Sequence, residues 1–93
     1  MFTGIIEKIC TVASVQRGTD SMVLTIDLGQ LADDCKIGDS IAVNGACLTV
    51  TKLQGKCASF DVGAETMSKS SLGDLRSSSQ VNVELAMKAS DRC

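Results

Sequence analysis

The dipeptide Asn44-Gly45 is the local feature that most restricts how this chain can fold. Both residues tolerate a positive φ, and a two-residue type I′ hairpin turn needs a positive φ at both of its central positions. The flanking segments, Ile41–Val43 and Cys47–Thr51, are rich in residues with high β propensity. The sequence therefore predicts a tight β-hairpin at the centre of the chain.

The segments on either side of this hairpin also have the pattern of short strands. Residues 22–28 alternate between apolar and polar side chains, which is the period of a half-buried strand. Further strands are predicted at 4–15, 57–62 and 81–85, while 30–35 fits one helical turn and 64–71 either a loop or a short helix. Six short strands without a long helix predict an all-β fold, a small closed antiparallel barrel. Closure also leaves no unprotected edge strand.

The length and charge of the chain restrict its function. Ninety-three residues make a single domain over 1–93. Nine basic and eleven acidic residues give a net charge of −2, and there is no Trp or Tyr, so neither phosphate-neutralising charge nor base-stacking side chains favour nucleic-acid binding. The longest uncharged stretch is interrupted by polar residues, and the N-terminus lacks a basic, apolar leader. We therefore expect no membrane association and a cytoplasmic location.

The five cysteines and the absence of histidine limit the chemistry available to the chain. The cysteines at positions 10, 35, 47, 57 and 93 form no closely spaced pair, so a structural metal is not expected. An odd number in a cytoplasmic protein is typical of free thiols, most of which behave as small apolar residues. Without histidine, the usual general base and the usual catalytic triads are missing.

Three parts of the sequence together carry a resemblance to one enzyme family. They are MFTGIIE at 1–7, GDSIAVNGACLTVT at 38–51, and Glu65-Thr66 followed by Ser71–Leu75 and Val81–Glu84. In this order and spacing they resemble the N-terminal barrel of the riboflavin synthase family, and the resemblance covers nearly the whole chain. It implies a six-stranded antiparallel Greek-key barrel that binds a lumazine or a flavin.

The resemblance also implies a reaction. Members of the family dismutate two molecules of 6,7-dimethyl-8-ribityllumazine into riboflavin and 5-amino-6-ribitylamino-2,4-pyrimidinedione, moving a four-carbon unit in riboflavin biosynthesis without a cofactor or metal. Their active site lies between the N-barrel and the C-barrel of different subunits in a homotrimer. This sequence matches the first barrel alone. We therefore expect the isolated chain to be weakly active or inactive, and to pair with a second barrel or with itself as a homodimer.

The same resemblance implies a set of site residues. Those expected to bind the substrate are Gly4, Ile5, Ile6, Cys47, Leu48, Thr49, Asp61, Val62, Gly63, Ala64, Glu65 and Thr66. Cys47 is the candidate soft nucleophile or proton relay, which requires a lowered thiol pKa. Ser40 is a second catalytic candidate that could bond the ribityl hydroxyls. Cys47 and Thr49 share one face of their strand, which we expect to be the inner face of the barrel and to line the pocket.

Each of these assignments has a structural alternative. The strand 4–6 could simply supply core, Cys47 and Thr49 could fill space as small residues, and 61–66 could be a solvated loop with Glu65 near a helix N-terminus. Two functional alternatives also stay open. One is a non-catalytic carrier of a lumazine or flavin, like the related lumazine proteins, although Cys47 and Thr49 favour the enzyme. The other is a small barrel with an interaction role.

Two positions depart from the pattern of the riboflavin synthase family. Leu85 stands where Arg is common, and the resemblance implies a possible effect on the contact between barrels. Ser78 stands where Gly is often found, and we expect this change to be harmless.

Overall fold

Strands make up most of the chain in the computed structural model, which describes residues 2–88 and the side chains of residues 7–85. The strands are β1 (Phe2–Arg17), β2 (Ser21–Asp27), β3 (Ser40–Val43), β4 (Ala46–Gln54), β5 (Cys57–Gly63) and β6 (Gln80–Lys88). Within the described residues there is also one α-helix, α1 (Ala64–Lys69), and there are 3-10 helices at Gly29–Asp34 and Ser71–Asp74. Each predicted strand is present, and the segment after β5 is a short helix followed by a 3-10 turn.

The strands form a closed barrel in the order β1-β2-β5-β4-β3-β6, with antiparallel neighbours throughout. This confirms the predicted closed antiparallel barrel. The first strand is longer than expected because it pairs with two partners, with β6 through residues 2–11 and with β2 through residues 11–17. Its register shifts between Val12 and Ser14, and an irregularity of this kind bends a strand enough to change partners.

Apolar side chains from alternate strand positions fill the interior. On β2, Met22, Leu24 and Ile26 are buried, as the alternation predicts. Phe60 of β5 is the largest fully buried side chain. Among the side chains of residues 7–85, no polar or charged one is buried. The interior is therefore a packed apolar core, and polar chemistry is confined to the outer surface.

The strand β4 faces the opposite way from the prediction. Leu48 and Val50 are buried, at 5% and 1% exposure, whereas Cys47 and Thr49 are exposed on the outer face. The expectation that Cys47 and Thr49 line the inner face is wrong. Burying Leu48 and Val50 removes more apolar surface from water and keeps a hydroxyl out of the core. Because side chains alternate, this choice sets the orientation of the whole strand.

The turn between β3 and β4 also ties this hairpin to β6. Asn44 has a φ of 50° and Gly45 a φ of 86°, which are the positive angles that the sequence predicts for this turn. The backbone N–H of Asn82 donates to Asn44 Oδ1 at 2.8 Å, and the N–H of Asn44 donates to the Asn82 carbonyl, also at 2.8 Å. One residue thus shapes the turn and extends the short β3–β6 pairing that closes the barrel.

The two departures from the family pattern have different structural settings. Leu85 is buried at 7% exposure and packs in the core of this barrel. Ser78 lies in the turn before β6 with a φ of 77°, a left-handed conformation that costs an L-residue energy and that glycine adopts freely. Serine at this position therefore keeps the turn under mild backbone strain.

Replacing Ser78 with Gly should stabilise the barrel. Relief of the left-handed strain exceeds the extra entropy of glycine in the unfolded chain, so Ser78→Gly should raise the free energy of unfolding by about 0.5–1 kcal/mol. Thermal and urea unfolding followed by circular dichroism measure the change. The neighbouring Ser77 has no positive φ, so Ser77→Gly is the matched control and should lower stability. Equal effects of the two variants would contradict the strain at Ser78.

Candidate ligand-binding groove

A groove of about 570 Å³ lies on the outer surface, between the turn that joins β3 to β4 and the helix α1. Its volume falls in the range of small-molecule sites. The lining residues are Asn44, Gly45, Ala46, Cys47, Glu65, Thr66, Lys69, Ser70 and Ser71. One wall thus comes from the start of the β4 hairpin, and the other from α1 and the segment that follows it.

Local hydrogen bonds fix the C-terminal end of α1. The Ser70 hydroxyl donates to the carbonyl of Thr66 at 2.6 Å and accepts from the backbone N–H of Leu72 at 3.3 Å. Leu72, in the 3-10 turn after the helix, is fully buried. The side chain of Leu72 therefore anchors this wall of the groove to the core, and Ser70 links the anchor to the helix.

Three of the predicted site residues meet in this groove. Cys47 lies exposed at the start of β4, and Glu65 and Thr66 lie in the first turn of α1. The thiol, the carboxylate and the hydroxyl belong to segments 18 or more residues apart in the sequence, and the barrel brings them to one groove. The predicted acidic residue at the start of a short helix is also present, as Glu65.

Four more predicted residues lie close in sequence to the groove without lining it. Leu48 and Val62 are buried in the core, so only their backbone groups could meet a ligand. Ala64 is the exposed first residue of α1. Gly63 precedes it, and a Cβ there would meet nothing within 4 Å. The space beside the Gly63 backbone is therefore open, as the predicted close approach of a ring would require.

The remaining predicted residues lie elsewhere on the barrel wall. Ser40 and Thr49 are opposite each other on β3 and β4, both exposed and outside the groove lining. Asp61 is exposed on β5. The backbone of residues 4–6 pairs with residues 85–87 of β6, whereas the side chains of Gly4, Ile5 and Ile6 lie outside the described part of the chain.

Two groups of lining residues were not predicted as site residues. The turn residues 44–46 were predicted for their conformation alone, because sequence does not reveal what packs beside a turn. Lys69 lies four residues after Glu65, on the same helical face, so the prediction of a helix over 64–71 contained the signal that could have found it.

The cysteines differ in accessibility, and this decides which thiol can act. Cys10 and Cys35 are buried, Cys57 is half-buried and Cys47 is exposed, all as free thiols. Burial raises the pKa of Cys10, and burial together with the nearby Asp39 and Asp34 carboxylates raises the pKa of Cys35 to about 11. Both therefore stay protonated and behave as core residues. Cys93, predicted to be a free thiol, lies outside the described residues.

A second groove, of about 340 Å³, lies on the wall formed by β1, β2, β5 and β4. Its polar lining includes Thr25 and Ser59, whose hydroxyls are 3.0 Å apart, and Lys52. None of the predicted site residues lines it. We therefore take the groove beside α1 as the candidate site.

Neither a metal cluster nor a membrane-spanning helix is found in the part of the chain that the structure describes. There, no three His, Cys, Asp or Glu side chains are grouped so that they could hold a metal ion. The helices in the same part are too short to cross a bilayer.

The closed antiparallel barrel with a ligand-sized groove on its outer wall defines the class: a small all-β ligand-binding domain. Its sequence matches the lumazine binding domain over residues 3–86, and the chain belongs to this family. It is 47% identical over 92 residues to riboflavin synthase of Bacillus subtilis and 45% identical over 92 residues to riboflavin synthase of Actinobacillus pleuropneumoniae. Each match covers 99% of this chain and 43% of the enzyme. The chain thus spans less than half the length of these relatives.

The fold is also found in a solved structure. LumP complexed with 6,7-dimethyl-8-(1'-D-ribityl) lumazine superposes with a TM-score of 0.77 at 20% sequence identity. The match covers 89% of this chain and 45% of LumP. The agreement confirms the barrel fold.

Two carboxyl groups face each other across the β1–β6 pairing on the outer wall. Glu7 lies directly opposite Glu84. A hydrogen bond with Glu7, partial loss of hydration and the negative charge of Glu7 raise the pKa of Glu84 above its ordinary value. The protonated Glu84 is the donor in that bond. When both groups are ionised, like charges directly opposite each other weaken the strand pairing.

The Glu7–Glu84 pair should make the barrel less stable as the pH rises. Because the folded state holds the Glu84 proton to a higher pH than the unfolded chain does, the free energy of unfolding should fall between the ordinary pKa of Glu and the raised one. Glu7→Gln should therefore raise the urea midpoint at pH 7 and flatten its dependence on pH between about 4 and 7. Asp33→Asn, which removes an exposed acid from the first 3-10 helix, is the control for net charge. An equal gain in both variants would refute the pairwise repulsion.

Proposed function

We propose that this chain binds a lumazine or a flavin in the groove beside α1, as the N-terminal barrel of a riboflavin synthase. The observation that carries the proposal is the identity of 45–47% with enzymes of that name over 99% of the chain. The groove adds support because it collects Cys47, Glu65 and Thr66, three of the residues that the resemblance implies.

The groove offers the contacts that a ribityl-bearing ring needs. Thr66 presents a half-buried hydroxyl on one wall and Cys47 an exposed thiol on the other. A pteridine ring requires donors and acceptors in a plane, and backbone groups at strand ends supply both. The open space beside Gly63 lets the backbone approach the ring. We propose that the ring lies between Cys47 and Thr66.

The chemistry of the dismutation follows mainly from positioning. Two lumazines held face to face lose their entropy of association on binding rather than in the reaction. The acidic 7-methyl group of one lumazine supplies the carbanion, so the reaction needs no metal or additional cofactor. Cys47 is the thiol placed to relay a proton. Because one barrel holds one ligand, we propose that catalysis depends on a second barrel, as in a homotrimer of two-barrel subunits.

The isolated chain should recreate this arrangement by pairing with itself. Large apolar side chains exposed by more than half are Ile9 on β1, at 60%, and Ile37, at 65%, among those the structure describes. Ile9 lies on the outer wall, where burial against a second copy would remove it from water. The connectivity, in which β6 returns beside β3 after three consecutive strands, is one we propose to describe as a Greek key. We also propose a cytoplasmic location, which suits free thiols.

A non-catalytic carrier of a lumazine or flavin is the second candidate. The observation that favours it is the complete absence of Trp and Tyr, the side chains that most often quench a bound flavin by electron transfer. A ligand in such a barrel would keep its emission. The enzyme and the carrier differ in whether two bound lumazines react.

Titration of lumazine and of riboflavin into the purified chain tests the proposed function. Fluorescence anisotropy of either ligand should rise on binding, and the emission should largely persist because Trp and Tyr are absent. Thr66→Val should weaken binding by about 1–3 kcal/mol if its hydroxyl bonds the buried ring. Thr25→Val in the second groove is the matched control and should bind normally.

Two outcomes would separate the candidates from each other and from neither. Conversion of lumazine to riboflavin, with a rate that rises more steeply than protein concentration, supports the enzyme. Binding without conversion supports the carrier. A chain that is folded by circular dichroism but leaves the anisotropy of both ligands unchanged would contradict the proposed function.

Self-association should be visible in solution. We expect light scattering to report a dimer at high micromolar concentration with ligand present, because each copy buries Ile9 and its neighbours against the other. Ile9→Lys should shift the equilibrium to monomer without unfolding the barrel, since the side chain is already exposed. Ile37→Lys is the control for added charge at an equally exposed position. A monomer at all concentrations in the unaltered chain would exclude the dimer.

A further inference from the structure

We propose that Lys69 makes the groove select ligands whose ribityl chain ends in a phosphate over the same ligands without one. This inference rests on the proposed function, because it assumes that a ribityl-bearing ring occupies the groove. It concerns the part of the groove beyond Thr66, which lies outside the set of predicted site residues.

The groove has one positive and one negative side chain. Among the side chains of residues 7–85, Glu65 and Lys69 are the charged ones that line it. Lys69 Nζ lies 3.0 Å from Glu65 Oε2, and the two side chains are 72% and 81% exposed. An ion pair this exposed, four residues apart on a helix, contributes little to stability. Lys69 can therefore leave Glu65 for a stronger anionic partner at small cost.

A phosphate monoester is such a partner. It carries about 1.5–2 negative charges near neutral pH and several strong acceptor oxygens, whereas Glu65 offers a single charge. Ser71 lines the same end of the groove and is exposed, so its hydroxyl can donate a second hydrogen bond. Ser70 does not take part, because its one hydroxyl proton is donated to Thr66. The anion contact thus consists of Lys69 and Ser71.

The spacing along α1 fits a ribityl chain. With the ring beside Thr66, the backbone of Lys69 lies three residues further along the helix, about 4.5 Å along its axis. The flexible four-carbon stem of lysine extends the reach of the ammonium group beyond that point. A five-carbon chain that leaves the ring along this wall therefore brings its terminal phosphate to Lys69, while a terminal hydroxyl gains little from a cation.

Other basic side chains have different settings. Lys52 lines the second groove, and Arg17 donates to the carbonyl of Leu75 at 2.7 Å. The preference for a phosphate should therefore depend on Lys69 and not on the overall charge of the protein. Lys52 supplies the matched control, since its removal changes the net charge by the same amount.

The test compares the affinities of riboflavin 5′-phosphate and riboflavin, measured by anisotropy in a buffer free of phosphate. One exposed contact between unlike charges predicts that the phosphorylated flavin binds about three- to fivefold more tightly. The ratio should fall to about one in Lys69→Gln and below one in Lys69→Glu, because the contact is lost or made repulsive. Lys52→Gln should keep the ratio of the unaltered chain. Glu65→Gln should raise it, since the competing carboxylate is gone.

Ionic conditions give an independent readout. Raising the salt from about 0.05 M to about 0.5 M should reduce the ratio toward one by screening an exposed contact. Added inorganic phosphate should compete with riboflavin 5′-phosphate more than with riboflavin. Equal affinities for the two flavins in the unaltered chain, or an unchanged ratio in Lys69→Glu, would overturn the role of Lys69 alone. Failure of a folded chain to bind either flavin would overturn the proposed function and this inference with it.

Discussion

The apolar packing inside the barrel decides where the chemistry of this domain can occur. Phe60, Leu24 and their neighbours fill the interior completely enough that the fully buried side chains are all apolar. Interiors of this kind are as dense as organic crystals and leave no room for a ligand. Since side chains alternate along each strand, every inward residue commits its neighbours to the outer wall. The outer placement of Cys47 is thus a consequence of burying Leu48.

The two walls of the candidate groove differ in how firmly they are held. The wall that begins at Asn44 belongs to a hairpin turn bonded to β6 at two points. The wall formed by α1 has six residues, none of them buried, and a helix this short is not stable by itself. It depends on its connection to β5 and on Leu72. We infer that one wall is rigid and the other adaptable, as expected of regions with few buried contacts.

The sequence predicted best what local interactions decide. The turn at Asn44-Gly45 and the alternation of residues 22–28 needed only neighbouring residues, and both are present as predicted. The face of β4 was predicted wrongly because it depends on which residues fill a space shared by six strands. Cysteine is apolar enough to have filled it, and only the competition with Leu48 and Val50 excludes Cys47.

The candidate site was predicted only in part for a related reason. Cys47, Glu65 and Thr66 were found through the resemblance to a family, not through any local pattern. Lys69 was missed because an exposed lysine near a helix end has the same sequence pattern whether or not a groove lies beside it. Its significance comes from the hairpin across the groove, about twenty residues earlier in the chain.

The pairing of β1 with β6 has a consequence for how the chain is made. Lys8 lies opposite Val83, so the first strand to leave the ribosome waits for the last one before that edge is covered. Contacts between such distant residues form slowly, because the entropy of closing a long loop must be paid first. During this interval an unpaired strand edge can join another chain. Cells that synthesise this domain rapidly therefore depend on chaperones that hold the nascent β1 until translation has passed β6.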